Sequence, residues 1–404
     1  MIMGDFRVNR KILSVLLVSS IVLSITGCKY KRNTSINKNN FPDPGFANYV
    51  MAFDSDNDGK LSQAECEAVD SMRLEKITDF KGLELFPNIT HLEIANCYVP
   101  EFDFGSLQNL KTLSVIGRNP FKKIDLSKND NLEEFTYYED NSAKLEELIL
   151  PQNKSLKTVS CSNTLLKEFE ISGYDSLNEI YFCSGQTTSL KIGDCPSLTK
   201  LTCFRNQLSQ LKISGCPNLS EIDCGNNVLT ELDLSGCSGL TRLNCLDNKL
   251  TSLNLSVCPS LLHLDCDDND LTSLNLNVCP DLESLSCNNN NLTDLDVSCC
   301  PNLKYLGCIG NGLKNLVIGT QENLTTALVY ENELTSVDVS GCPVLRWFIC
   351  SENKITSLDI SGCPDLVDLA TNFESSTDNR SYITYDDHDG NRKLMYDSDV
   401  ELIK

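Results

Sequence analysis

Apolar side chains recur along most of the chain with a period of 21 residues. In the copy LTRLNCLDNKLTSLNLSVCPS, from Leu240 to Ser260, positions 1, 4, 6, 11, 14 and 16 are apolar, position 9 is asparagine and position 19 is cysteine. Alternation around positions 4 and 6, and again around 14 and 16, is typical of strands with one face in a core. A fixed period of this length predicts a solenoid of stacked turns.

Both halves of the repeat have the same rhythm, LTRLNC and then LTSLNL, and no room remains between them for a long helix. We therefore predict a mostly β solenoid with two short parallel strands per 21-residue turn. The repeats extend over residues 89–365, loosely at first and then strictly from Leu156 onward. Residues 366–404 break the pattern and are predicted to form the C-terminal cap.

The stretches NCLDNKL and SCNNNNL fit the form LxxLxLxxNxL, and in this the chain resembles leucine-rich-repeat proteins. Because the LxxLxL rhythm occurs twice per turn, it resembles the irregular class of bacterial leucine-rich surface proteins, internalin-like ones among them. The resemblance covers roughly two thirds of the chain. It implies a leucine-rich-repeat solenoid that binds proteins or glycans and has no enzyme activity.

Asparagine and cysteine form columns along the repeat. We expect the asparagine at position 9 to satisfy backbone groups at a tight corner, which is a structural role. The 21 cysteines lie mostly at positions 6 and 19, where a thiol pointing inward acts as a small apolar side chain. Neighbouring turns are close enough for disulfides, so cross-linking within a column stays open.

Residues 54–65, DSDNDGKLSQAE, match the calcium-binding loop of an EF-hand. Gly59 permits the sharp turn, and the predicted metal ligands are Asp54, Asp56, Asp58, Lys60 through its carbonyl, Ser62 through a water, and Glu65. Sensor proteins pair two such loops, whereas this chain has one. We therefore predict that calcium is structural here and stabilises an EF-hand-like N-terminal cap over residues 43–88, with a second helix at about Gln63–Met72.

The first residues predict export. Arg7, Arg10 and Lys11 precede a short apolar run, and the run ends in ITGC, which resembles a bacterial lipobox. This implies a lipoprotein signal peptide at residues 1–27 and lipid attached to Cys28. An uncleaved anchor is the alternative. Residues 28–42 are polar and are predicted to be a flexible tether.

At the other end of the chain, Tyr382–Tyr385 and Lys393–Tyr396 alternate like strands on either side of Asp389-Gly390, a favoured turn pair. A β-hairpin is therefore predicted within the C-terminal cap.

The charge of the chain excludes some partners. With 56 acidic and 34 basic residues the net charge is −22, which disfavours nucleic acid as a partner. His263, Asp265 and Ser284 fall on neighbouring outward positions, but an open sheet gives a nucleophile no site that excludes water. We predict that the protein is not an enzyme.

Positions 3, 5 and 7 of each turn face outward on the first strand. In the middle turns they are acidic and polar, including Glu221, Asp223, Asn244, Asp265, Asp267 and Ser286. Near the C-terminal end they become a group that we call the aromatic patch: Tyr305, Ile309, Leu328, Tyr330, Trp347 and Ile349. An uncovered patch of this kind favours partner binding, although the C-terminal cap could instead fold back and bury it.

Taken together, these features predict a monomeric, lipid-anchored protein of the bacterial cell envelope that binds a protein or glycan. Which membrane face carries it stays open. The alternative is a calcium-rigidified spacer or scaffold with no dedicated ligand.

Overall fold

The computed structural model describes residues 33–140, 144–372, 376–377, 382–386 and 391–404. The predicted signal peptide at residues 1–27 and the predicted lipidation site Cys28 lie outside these ranges.

Parallel strands from successive turns form one long sheet, which we call the main sheet. Equivalent residues of neighbouring turns pair directly, so that Leu243 lies beside Leu264 and Leu264 beside Leu285. The period of the sequence therefore sets the register. The parallel strands of the main sheet are Ser71–Glu75, His91–Ala95, Thr112–Ile116, Glu134–Tyr138, Thr158–Ser162, Glu179–Cys183, Lys200–Thr202, Glu221–Asp223, Arg242–Asn244, His263–Asp265, Ser284–Ser286, Tyr305–Gly307, Thr326–Leu328, Trp347–Ile349 and Lys393–Asp397.

The second half of the turn supplies shorter ladders on the opposite side, and the predicted mostly β solenoid is confirmed. Between residues 231 and 276 the second half-turn has no assigned strand, although its leucines remain buried. The second-side strands are Lys123–Asp125, Glu147–Ile149, Glu168–Ser172, Ser189–Gly193, Gln210–Ser214, Asp294–Asp296, Asn315–Val317, Ser357–Asp359 and Glu401–Ile403.

One continuous hydrophobic core runs between the two sides. The leucines of both half-turns face it, and so do the two cysteine columns. The described cysteines are all free thiols, and Cys299 alone among them is partly exposed. Burial raises the pKa of Cys245, Cys266 and Cys287 well above the usual range for a thiol. These cysteines act as apolar packing groups, and cross-linking within the columns is not observed.

A hydrogen-bonded corner recurs after each strand of the strict repeats. The residue at position 8 has a left-handed backbone in turn after turn, for example Asp247 at φ 51° and Asp268 at φ 52°. The asparagine that follows points inward. Nδ2 of Asn269 contacts the carbonyl oxygens of Cys245, Cys266 and Asp267 at 3.0–3.2 Å, and its Oδ1 accepts the N–H of Leu250 at 3.0 Å. One amide thus joins consecutive turns.

Two short helices form the N-terminal cap, Pro44–Val50 and Gln63–Glu67, with a 3₁₀ turn at Met51–Phe53. Asp43 links this cap to the solenoid. Its Oδ1 accepts the N–H of Phe46 at the start of the first helix, and its Oδ2 accepts the N–H and hydroxyl of Thr78 in the first turn. The cap therefore covers the open apolar end of the solenoid, as expected for a terminal repeat.

The structure differs from the sequence prediction at two points near this end. The second helix stops at Glu67 rather than Met72, and Ser71–Glu75 is already a strand of the main sheet. Residues 71–75 form a strand because buried and exposed side chains alternate along them, with Met72 and Leu74 facing the core. The solenoid thus begins at Ser71, before the predicted boundary at residue 89. Two further 3₁₀ turns follow, at Leu83–Leu85 and Phe104–Ser106.

The predicted flexible tether also differs in its last part. Thr34–Ser35 is a strand antiparallel to Lys60–Leu61, and Phe41 is buried in the cap. These residues are held in place because their backbone pairs with the edge of Lys60–Leu61.

The C-terminal cap contains the predicted hairpin, in which Tyr382–Asp386 pairs antiparallel with Lys393–Asp397. Lys393–Asp397 also pairs in parallel with Trp347–Ile349, so it is the last parallel strand of the main sheet. A helix that was not predicted, Pro364–Asn372, precedes the hairpin, and Ser376–Thr377 adds a short edge strand. The cap is thus a further turn interrupted by an insertion.

The corner asparagines predict a measurable effect on stability. Asn269→Ala removes partners from buried backbone groups of two turns, so we expect the free energy of unfolding to fall by about 2–3 kcal/mol in urea titrations. Asn302→Ala, at an exposed asparagine, is the matched control and should change it by less than about 0.5 kcal/mol. Equal effects of the two variants would contradict the role assigned to the corner.

Candidate functional site

Three carboxylates converge in the loop that the sequence predicts to bind calcium. One oxygen from each of Asp54, Asp56 and Asp58 lies within 4.8 Å of the others. The loop backbone supports them, because the N–H of Asp58 donates to Asp54 and Asp56 at 3.1 Å and the N–H of Gly59 donates to Asp54 at 2.8 Å. Gly59 has φ 78°, the left-handed turn that the pattern requires.

Glu65 is placed differently from the three aspartates. One of its carboxylate oxygens accepts the N–H and hydroxyl of Ser55, and the other accepts those of Ser62, all at 2.7–2.8 Å. The hydrogen bonds from Ser55 and then Ser62 lower the pKa of Glu65 to about 2. Glu65 therefore closes the loop by joining its two ends, while the converging oxygens come from the aspartates.

The loop has a strand partner that sequence reasoning missed. Lys60–Leu61 pairs with Thr34–Ser35, and the N–H of Ile36 donates to Gly59 O at 3.0 Å. Thr34–Ser35 thus holds one edge of the loop from the segment that precedes the first helix. No sequence signal marks this strand, because two residues are too few to show an alternation.

The aromatic patch lies on the main sheet at its C-terminal end. Strand pairing places Leu328 beside Ile349 and Thr326 between Tyr305 and Trp347. All six patch residues are half-buried. The described part of the C-terminal cap continues the sheet beside the patch, because Lys393–Asp397 joins as the next strand.

This extra strand adds two residues that the sequence did not predict. Met395 lies beside Ile349, and the Nζ of Lys393 lies 5.9 Å from the centroid of the Trp347 ring, in a cation–π arrangement. The insertion between Trp347 and Lys393 breaks the 21-residue spacing, and so the period alone cannot align them.

Acidic side chains occupy the same face in the middle of the sheet. We call Asp223, Asp265 and Asp267 the acidic section. No ion pair in the described chain includes any of them. Asp267 is hydrogen-bonded, since its oxygens accept the N–H and Nδ2 of Asn288 and the hydroxyl of Ser286 at 2.6–3.0 Å.

Asp265 has the most perturbed carboxyl of this section. Burial against the sheet, and then repulsion from Asp267, raises its pKa to about 6. Burial likewise raises the pKa of Asp223. These carboxylates are charged at neutral pH at some cost to the stability of the fold.

His263, Asp265 and Ser284 lie on adjacent strands, as predicted, with His263 directly beside Ser284. No hydrogen bond in the described chain joins His263 to Asp265 or Ser284. Burial and the charge of Arg242 lower the pKa of His263. The geometry therefore lacks the bonded nucleophile and base of a hydrolytic site.

Comparison with solved structures identifies the architecture. The functional domain of InlJ from Listeria monocytogenes, described as including a cysteine ladder, aligns over 93% of this chain and 99% of its own length, with a TM-score of 0.62 and 20% identity. The fold is a leucine-rich-repeat solenoid. YopM, a leucine-rich effector protein from Yersinia pestis, aligns over 67% of this chain and 73% of its own, with a TM-score of 0.52 and 25% identity.

A leucine-rich-repeat protein of Leptospira interrogans aligns over 72% of this chain and 86% of its own length, with a TM-score of 0.50 and 20% identity. No protein-family model matches the chain, and no curated protein does so. Within the described residues, every helix is too short or too polar to span a bilayer.

The acidic section makes a testable prediction about stability. In Asp265 the carboxyl pKa is higher in the folded protein than the ordinary 3.8, so stability is lost as the pH rises toward 6 and above. Asp265→Asn should therefore raise the free energy of unfolding by about 1 kcal/mol at pH 7.5, a value reduced for partial solvent screening.

Below about pH 3 the carboxyl is protonated in both states and the gain should disappear. The exposed Asp270→Asn is the control, with no gain expected at either pH. A destabilised Asp265→Asn variant at pH 7.5 would contradict the assignment.

Proposed function

We propose that this protein is an exported, lipid-anchored leucine-rich-repeat binding protein. Its solenoid presents the aromatic patch to a protein or glycan partner, and a calcium ion stabilises the N-terminal cap. The single observation that supports binding most directly is the aromatic patch, whose six half-buried side chains lie together on paired strands of the main sheet.

Aromatic side chains on a fixed backbone are suited to recognition. They bury a large area on binding and lose few rotamers, and hot spots are rich in Trp and Tyr. The sheet holds Leu328, Trp347 and Ile349 in place through parallel pairing, so little order is lost on association. The leucine-rich-repeat fold supports this role by analogy.

The three converging carboxylates fit a calcium ion. Asp54, Asp56 and Asp58 offer hard oxygen ligands close together, and the left-handed Gly59 gives the loop its turn. Calcium would neutralise three carboxylates that otherwise repel one another. Lys60 and Ser62 would add to the ligand set, and Glu65 would join it by exchanging its hydrogen bonds with Ser55 and Ser62 for the ion. Because the loop strand pairs with Thr34–Ser35, the ion would stabilise the whole cap.

Export and lipid attachment rest on the lipobox that ends at Cys28. Thr34 and Ser35 follow Cys28 closely in the sequence and are paired with Lys60–Leu61 of the N-terminal cap. The cap would therefore lie nearest the membrane, with the aromatic patch at the far end of the solenoid. This arrangement places the binding surface away from the lipid.

The calcium proposal predicts a stability difference. Adding calcium at about 100 times its dissociation constant should stabilise the fold by about 2.7 kcal/mol, and a chelator should lower Tm by the corresponding amount. Asp56→Ala removes one of the converging carboxylates and should abolish both the shift and the heat of calcium binding in calorimetry. Asp281→Ala, an exposed acidic residue of the repeats, should leave both unchanged. An unchanged Tm after chelation of the unaltered protein would refute the proposal.

The binding proposal predicts that the aromatic patch and the fold can be separated. In the chain from residue 29 onward, the double variant Tyr330→Ala and Trp347→Ala should keep its far-UV circular dichroism spectrum, because both residues are only half-buried. The double variant should retain at least about tenfold less of each protein or glycan that the unaltered chain binds from cell-surface extracts. The reason is that each lost aromatic anchor costs about 1–2 kcal/mol or more.

The matched control is Tyr98→Ala with Val317→Ala, two apolar residues that are 63% and 48% exposed elsewhere on the solenoid. It should retain the same ligands. Equal retention by both double variants would instead favour the spacer or scaffold function. Global unfolding of the patch variant would mean that these aromatics are core residues.

A further inference from the structure

Two chemically different surfaces meet on one face of the main sheet. Position 5 of successive turns forms a straight row across the strands, which we call the central row. Its members are Asp223, Asn244, Asp265, Ser286, Gly307, Leu328, Ile349 and Met395. The row is therefore acidic and polar over its first half and apolar over its second half.

Gly307 marks the boundary between the two halves. A Cβ at this position would lie 3.0 Å from the phenolic oxygen of Tyr305, so the tyrosine side chain leans over the glycine. Burial raises the pKa of Tyr305, which keeps its hydroxyl neutral. The phenol thus separates the carboxylates from the apolar side chains of the aromatic patch.

The acidic half lacks cationic partners within the described chain. Along the next row, at position 3 of each turn, Lys200 is paired with Glu221, and Lys304, at position 2 of its turn, is paired with Glu283. Arg242 lies on that same row, beside His263. Asp223, Asp265 and Asp267 have no ion pair of their own. Burial disfavours the charged forms of Asp223 and Asp265, and repulsion from Asp267 adds to this for Asp265, so a cation from outside would relieve the cost.

We infer that the central row binds an extended polypeptide segment with lysine or arginine side chains at one end and apolar side chains at the other. The inference rests on the proposed function and specifies the chemistry of the partner. Carboxylates at one end and half-buried apolar groups at the other complement such a segment in both charge and hydrophobicity.

The geometry also sets the spacing within the segment. Strands lie about 4.8 Å apart, so Asp223 and Asp265 are separated by about 10 Å and Asp265 and Leu328 by about 14 Å. An extended chain covers about 3.3 Å per residue. The two cations should therefore lie about three residues apart, and the first apolar residue about four residues beyond the second cation.

A fluorescein-labelled peptide of 12 residues tests this chemistry by anisotropy against the whole chain from residue 29. Lysine occupies positions 1 and 4, leucine or phenylalanine occupies positions 8, 10 and 12, and serine fills the rest. The reversed sequence covers the opposite direction. A second peptide has glutamate in place of lysine, and a third has serine in place of the apolar residues.

We expect the lysine–apolar peptide, in one of its two directions, to bind at least about tenfold more tightly than the other two peptides at low salt, with the advantage over the glutamate peptide shrinking as salt is raised. The double variant Asp223→Asn with Asp265→Asn should reduce that advantage to less than about threefold. Asp270→Asn with Asp281→Asn makes the same change in net charge outside the sheet strands and should preserve it.

Each contrary result has a distinct meaning. If the glutamate peptide binds as tightly as the lysine peptide, and Tyr330→Ala with Trp347→Ala weakens both, the charge inference is wrong and the proposed binding function stands. If the lysine peptide binds equally well without its apolar residues, the attraction is the general one of an acidic protein, and the inference is wrong. If no peptide binds, the inference is overturned, and the proposed function is judged by the retention experiment alone.

Discussion

The solenoid depends on satisfying the backbone at one repeated corner. Each turn of the strict repeats leaves the main sheet through a residue with a left-handed backbone, and this turns carbonyl and N–H groups toward the interior. The inward asparagine supplies their partners, as Asn248 and Asn269 do for consecutive turns. Glu331 and Glu352 adopt the left-handed conformation despite its cost to residues other than glycine. The corner is therefore held by the asparagine bonds rather than by the local preference of its neighbour.

Because the corner fixes the register, the outer face of the sheet can vary freely. Leucine, asparagine and cysteine use the inward positions, so the core does not depend on positions 3, 5 and 7. Asp223, Asn244 and Asp265, at position 5, each accept the backbone N–H two residues further on. This freedom allows carboxylates to occupy the middle of the face at a cost in stability, as the raised pKa of Asp265 shows. It also allows apolar side chains to remain half-exposed at the end. A rigid frame with a variable surface suits recognition better than catalysis, which needs an enclosed site.

The two caps solve the same problem by different means. At the N-terminal end, a helix held by Asp43 covers the core, and a short strand pairs with the acidic loop. At the C-terminal end, the chain leaves the repeat, forms a helix and a hairpin, and then returns to add one more parallel strand. Asp397 completes this end by accepting the N–H groups of Glu352 and Asn353. Its carboxylate thus accepts backbone N–H groups at the corner of the turn that begins at Leu345.

The sequence by itself determined the features that repeat and those that depend only on local backbone geometry. The period fixes the pairing of Leu243 with Leu264, and the loop pattern from Asp54 to Asp58 brings three carboxylates together because local backbone geometry suffices. Features that depend on contacts between distant segments of the chain were decided by the tertiary structure. Thr34–Ser35 forms a strand by pairing with Lys60–Leu61. Met395 lies beside Ile349 although an insertion between the two strands breaks the 21-residue period. The position of a carboxylate on the face can be read from the sequence, whereas the rise in the pKa of Asp265 depends on the packing around it.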